Sequence, residues 1–84
     1  MTKKDFEFWA EFIKNLSPNY DLMHTSVMYG ANRFKITTKH HLAYKMAQKF
    51  APINILFNAK KFFKACGFDT ETTECLLNTT QIQD

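Results

Sequence analysis

The chain has 84 residues and a formal net charge of +3, with 45% hydrophobic and 23% charged residues. That balance excludes a disordered tail, and a chain this short forms one domain that buries only about 60% of its unfolded surface. No run approaches the roughly 20 apolar residues that span a bilayer, and Met1-Thr2-Lys3-Lys4 leads into Asp5 and Glu7 rather than an apolar core, so neither a membrane span nor a secretory signal is expected.

Only two Gly and two Pro punctuate the chain, which favours helices, because both residues are poor in helix interiors. The expected fold is mainly α: a small three- to four-helix domain with a β-hairpin inserted between the first two helices. Thr2 to Leu16 reads as the first helix, with Thr2 as N-cap and Asp5 three residues on. Phe6, Trp9, Ile13 and Leu16 recur at helical spacing, and Phe8 and Phe12 widen that stripe to about half the cylinder. Ser17-Pro18-Asn19 ends it.

Thr25 to Tyr29 and Arg33 to Thr37 both alternate, with Val27 and Tyr29 set against Phe34 and Ile36. Gly30-Ala31-Asn32 between them suggests a hairpin with a three-residue loop. A helix over Asp21 to Tyr29 is the competing reading. Thr38 to Ala51 is the clearest helix, capped by Thr37 or Thr38, with Leu42, Ala43, Met46, Ala47 and Phe50 on one face and Pro52 as its end. Ile53 to Phe57 reads as an apolar connector lying against the core. Asn58 to Gly67 is a short helix with both ends marked: Asn58 as N-cap, Gly67 at the left-handed C′ position, and Phe68 packing back on Phe63. A further short helix runs to Leu77, and residues 78–84 read as a frayed polar tail of the single domain 1–84.

Charge is sorted along the chain. From Leu22 to Phe68 there is no Asp or Glu, while Arg33, Lys35, Lys39, Lys45, Lys49, Lys60, Lys61 and Lys64 and all three histidines lie there. Residues 1–21 hold three lysines against four acids, and residues 69–84 hold four acids and no base. Either the acidic ends fold back on the basic middle, or the middle presents a face to an acidic protein surface or to nucleic-acid phosphates. Seven of the eight bases in that stretch are lysines, which supply point charge without the fork that reads guanine edges, so a nucleic-acid contact would be to backbone.

Catalytic chemistry is not visible. There is no glycine-rich phosphate loop, nucleophile elbow or HExxH. His40 and His41 point about 100° apart on a helix and read as a surface pair at its N-terminus, where their cationic form is disfavoured. A zinc site from His24, His40 or His41 with Cys66 and Cys75 lacks the paired short spacings such sites use. The cysteines read as reduced, buried apolar residues. Asp5, Glu7 and Glu11 read as complements to a helix dipole. No enzyme activity, metal or cofactor is expected.

At Phe57-Asn-Ala-Lys-Lys-Phe-Phe-Lys-Ala-Cys-Gly-Phe68 the sequence resembles a family of small helical proteins common in phage and prophage genomes. Phe57, Asn58, Lys61, Phe62, Ala65, Cys66 and Gly67 fill that family's closing pattern, and Lys3-Lys4-Asp5-Phe6 and Met46-Ala-Gln-Lys-Phe50 resemble its earlier pieces. Residues 17–37 are an insertion relative to the family, and Ala51-Pro52-Ile53-Asn54 replaces its Asn-Pro. The resemblance implies a phage-like origin and a helical scaffold, and no activity.

The expected function is that of a non-enzymatic phage accessory protein, placed in the host cytoplasm, that binds and inhibits or redirects a host macromolecule. Its contact is expected on Arg33, Lys35, Lys39, His41, Lys45 and Lys49, with Tyr29 and Phe34 as apolar anchors. A host protein with an acidic surface is the expected partner. The alternatives are nonspecific nucleic-acid binding through the same face and a homodimer through the aromatic stripe of the first helix; no membrane partner is expected.

Overall fold

The structure, a computed structural model, describes residues 3–78. Thr2, expected as the first N-cap, and residues 79–84 of the expected tail lie outside the described residues. In chain order the elements are helix α1 (Lys3–Lys14), a 3-10 turn (Pro18–Asp21), strands β1 (Met23–Tyr29) and β2 (Asn32–Thr37), and helices α2 (Thr38–Ile53), α3 (Ala59–Ala65) and α4 (Thr70–Asn78). This is the expected helical domain with its hairpin between the first two long helices.

α1 buries a narrower stripe than its sequence suggests. Ala10 and Ile13 are sealed in the core, and Phe6, Trp9 and Leu16 pack partly against it. Phe8 and Phe12 stay exposed and meet the Trp9 ring edge-on, with centroids 5.4 and 5.7 Å away. The helix gives out at Lys14, before the proline, as Leu16 N–H donates to the Ile13 carbonyl in a tighter turn. Ser17 is then extended, as a residue before proline prefers.

The hairpin turn is one residue shorter than expected. Tyr29 pairs with Asn32, leaving Gly30-Ala31 as a two-residue connection. Gly30 has φ +63° and Ala31 does not enter the positive region, the type II′ pattern that places glycine first. Val27 and Ile36 point into the core and are fully buried, while Tyr29 and Phe34 pack at its margin. Two strands alone are marginal in water; here the inner face is covered by α2, which continues β2 without an intervening residue.

The start of α2 is fixed by a capping box. Thr37 Oγ1 accepts from His40 N–H at 3.2 Å, and Thr37 N–H donates to His40 Nδ1 at 3.3 Å. Pro52 does not end this helix. It removes one donor, yet Asn54 N–H still reaches the Phe50 carbonyl at 3.1 Å and closes a last turn through Ile53. Ala43 and Ala47 are small enough to bring the helix close to its neighbours, and Phe50 fills the space beyond them.

The connector departs most from expectation. Ile53, Ile55 and Leu56 do not lie against the core; they are 66%, 95% and 87% exposed. The reason is Asn54. Its Oδ1 accepts from Leu56 N–H at 2.9 Å and its carbonyl accepts from Phe57 N–H at 3.0 Å. This side-chain-closed turn carries Ile55 and Leu56 outward and returns the chain at Phe57, which packs on Phe6, Phe50 and Phe62.

α3 ends as its sequence predicts. Asn58 Oδ1 accepts from Lys61 N–H at 3.0 Å. At the far end Gly67 (φ +90°) lets its own N–H reach the Lys64 carbonyl and Phe68 N–H reach the Phe63 carbonyl, with the Phe63 and Phe68 rings 6.3 Å apart. Asp69 then caps α4 by accepting from Thr72 N–H at 2.7 Å, and Thr72, Thr73, Cys75 and Leu76 are buried.

Ile36→Ala empties a fully buried site and is expected to lower unfolding free energy by about 2–5 kcal/mol. Ile55→Ala removes an exposed side chain and is expected to stay within about 0.5 kcal/mol of the parent. Urea denaturation of the two variants beside the parent chain checks both values.

Candidate binding surface

The outer face of the hairpin is built by strand alternation and by one irregularity. Opposite the inward set of Val27 and Ile36, β1 places Ser26 and Met28 and β2 places Arg33 and Lys35 on the side away from the core. Met28 sits directly across from Arg33, and Ser26 across from Lys35. Arg33 Nη1 donates to Ser26 Oγ at 3.2 Å, which holds the guanidinium along the strand pair. Between Met23 and Thr25 the register shifts, so Thr37 pairs with Met23 rather than with His24, the next residue after Thr25's pairing with Ile36. Because a one-residue shift changes the face of a side chain, Met23 joins the outer side. Met23 and Met28 are 66% and 49% exposed, and Leu22 just before them is exposed too.

The shift also frees His24 to lie over α2. Its ring stacks on that of His41, with centroids 4.1 Å apart and planes 26° from parallel. His41, Lys45 and Lys49 follow at four-residue spacing on α2, roughly opposite the buried Ala43, Ala47 and Phe50. Lys49 is exposed; His41 and Lys45 are half-buried. The stripe thus begins beside the hairpin base and runs to the far end of α2.

Of the expected contact residues, Arg33, Lys35 and Lys49 are exposed, and none has an ion pair among the described residues. Lys39 is placed differently. Its side chain is only 15% exposed, and its Nζ lies 3.7 Å from Asp21 Oδ1, so the 3-10 turn takes up this charge. Tyr29 and Phe34 face the core side with Val27 and Ile36 and present only their margins to solvent. The apolar positions on the outer face are Met23 and Met28, which the sequence reasoning missed. Strand alternation points to Met28, whereas the register shift that turns Met23 outward has no mark in the sequence.

Among the described residues, the acid Asp21 meets the basic middle at Lys39. Glu71 and Glu74 are exposed on α4 and have no ion pair among the described residues. Lys60, Lys61 and Lys64 are exposed on α3, away from the inward Phe62 and Phe63. Between α1 and α3 lies a groove of about 620 Å³, floored by Phe6, Phe57 and Phe62 and rimmed by Lys3, Glu7 and Lys61. Lys3 and Glu7 pair across one turn at 4.0 Å with both side chains largely exposed, where such a pair contributes little.

His40 is not the surface histidine its sequence suggests. It is half-buried, closes the capping box of α2, and sets its ring edge-on to Phe68 at 4.7 Å. Burial lowers its pKa; nearby Asp21 and Asp69 raise it by less, and Lys39 lowers it further. Asp69 is held below the usual carboxylate range by the hydrogen bonds from Thr72. Both cysteines are buried free thiols. Burial pushes the Cys66 thiol up to about 12 and raises Cys75 as well. Among the described residues, no three His, Cys, Asp or Glu side chains come together as a metal-binding group.

Because the folded chain disfavours the His40 imidazolium, the unfolded chain binds more protons as pH falls below the ordinary 6.5. This stability contribution is whole above pH 6.5 and declines as pH drops through the lowered folded value. Urea midpoints at pH 8 and pH 5 should therefore differ more for the parent than for His40→Gln, whose amide oxygen can accept from Thr37 N–H without titrating. The Asp69 contribution disappears only below pH 3.8. For the thiols, an aromatic disulfide reagent at pH 8 is expected to label neither cysteine in the native chain and both in denaturant; stoichiometric native labelling would contradict the burial.

Comparison of the chain with protein-family models, curated proteins and solved structures finds no match, so the functional argument rests on this surface.

Proposed function

We propose that this chain is a non-enzymatic binding module that holds an acidic protein surface against the outer face of its hairpin and the adjoining stripe of α2. The observation that carries this reading is the mixture on one exposed face. Met23 and Met28 stand among Arg33 and Lys35, and Lys49 extends the charge along α2. Methionine is an adaptable contact residue on protein-binding surfaces, and arginine is a frequent high-energy contact. The lysines supply long-range attraction and speed encounter.

The phage resemblance extends the proposal. Asn58, Phe62 and Gly67, which carry it, serve as cap, core and C′ residue, so what is shared is the scaffold. The hairpin lies in the segment inserted relative to that family, and it supplies Met23, Met28, Arg33 and Lys35. On this reading the chain is a phage accessory protein that masks a host protein stoichiometrically in the host cytoplasm. Nucleic-acid binding is the second reading, favoured by the exposed Arg33, Lys35 and Lys49 without acidic partners among the described residues; a two-stranded ribbon also fits a major groove.

The test is capture from host lysate with and without nuclease. A single protein retained near stoichiometric yield after nuclease is expected. Arg33→Glu/Lys35→Glu/Lys49→Glu should abolish capture while the thermal midpoint stays within a few degrees of the parent. Met28→Ala should weaken binding to the captured protein about tenfold, yet leave any shift of duplex DNA unchanged. Retention seen only without nuclease would replace this reading with the nucleic-acid one.

A further inference from the structure

We propose that the α2–α3 turn is a membrane-surface contact: Ile53, Ile55 and Leu56 enter the acyl boundary of an anionic leaflet while Lys60, Lys61 and Lys64 lie against its phosphates. This goes beyond the protein-binding reading and uses none of the hairpin's residues.

A chain with so little core leaves three of its larger aliphatic side chains outside it, within four successive residues of one turn. Their position is built. Asn54 closes the turn through its side chain, and Phe57 anchors the return among Phe6, Phe50 and Phe62. The tip is therefore held out in a fixed shape. Grouped exposed apolar residues of this kind mark an interaction site.

Charge indicates what covers it. α3 begins directly after the turn and turns Phe62 and Phe63 inward, which leaves Lys60, Lys61 and Lys64 on its exposed side. None of the three has an ion pair among the described residues, and the sequence between Leu22 and Phe68 contains no acid. Glu7, the acid on the neighbouring groove, is paired with Lys3. The surface is thus an aliphatic tip backed by ammonium groups. Lipid fits it better than protein. Protein contacts favour Tyr, Trp and Arg and are depleted in lysine, whereas lysine beside an inserted apolar face is the pattern of interfacial anchors. A tip that protrudes also needs a partner that yields around it. A contact of this kind requires no spanning helix, and no helix among the described residues is long and apolar enough to be one.

The experiment is co-sedimentation of the full chain with vesicles of phosphatidylcholine alone and of phosphatidylcholine mixed equally with phosphatidylserine. Binding is expected to the mixed vesicles and to be weak on phosphatidylcholine alone. Ile55→Ser/Leu56→Ser should reduce it at least tenfold, and Lys60→Gln/Lys64→Gln about fivefold per lysine, with thermal midpoints unchanged. The charge-reversed hairpin, Arg33→Glu/Lys35→Glu, should retain most of the binding, and this separates the proposal from the hairpin surface. Absence of binding to mixed vesicles would overturn the proposal. So would binding insensitive to Ile55→Ser/Leu56→Ser, or a concentration-dependent dimer lost in that variant without vesicle binding, which would assign the tip to a second copy of the chain.

Discussion

Four phenylalanines hold the helical half of the molecule together. Phe6 from α1, Phe50 from α2, Phe57 from the connector and Phe62 from α3 lie with ring centroids 4.8–5.7 Å apart in five of their six pairings. Tilted and edge-to-face rings at such distances each contribute about 0.5–1.5 kcal/mol beyond the area they bury. That contribution is large for a chain whose whole stability is on the order of 5–10 kcal/mol. The cluster also sets the geometry around it. Phe57 must return to the core three residues after Asn54, so the residues between them have nowhere to go but out. The exposed aliphatic tip follows from the aromatic core.

What could be read from the sequence divides along a physical line. Ends written in side-chain chemistry were legible: Asn58 and Gly67 at α3, and Thr37 at α2, because a cap is a local hydrogen bond between neighbours in sequence. The hairpin was legible through alternation. The apolar connector was not, because hydropathy treats every Ile and Leu as a candidate for burial, and Asn54 reverses that through one bond to Leu56 N–H. Phe8 and Phe12 failed for a related reason: helical spacing locates the centre of a stripe but not its width, and only Ala10 and Ile13 are fully covered.

The binding surface was partly legible. Charge segregation pointed to Arg33, Lys35 and Lys49, and these are exposed. It could not show that Asp21 would fold back on Lys39, a contact made through tertiary structure. Tyr29 and Phe34 looked like anchors as aromatic residues near bases, yet the alternation that identifies the strands groups them with Val27 and Ile36 on the core side. The outward placement of Met23 depends on the register shift beside His24, where the sequence shows no glycine or other bulge signal.

β2 passes into α2 with no residue between Thr37 and Thr38, and the junction is clasped by Thr37 and His40. The usual connector between two elements is a hinge; here there is none to bend. The hairpin and the first turn of α2 therefore behave as one lever, with His24 stacked on His41 as a brace at its fulcrum. A partner that meets this arm finds its angle already set and spends little of its binding energy on arresting motion. Conversely, a force on the Gly30-Ala31 tip acts directly on the helix N-terminus. Lengthening the junction by even a single glycine would uncouple the arm from the helix while leaving every residue of the contact surface in place.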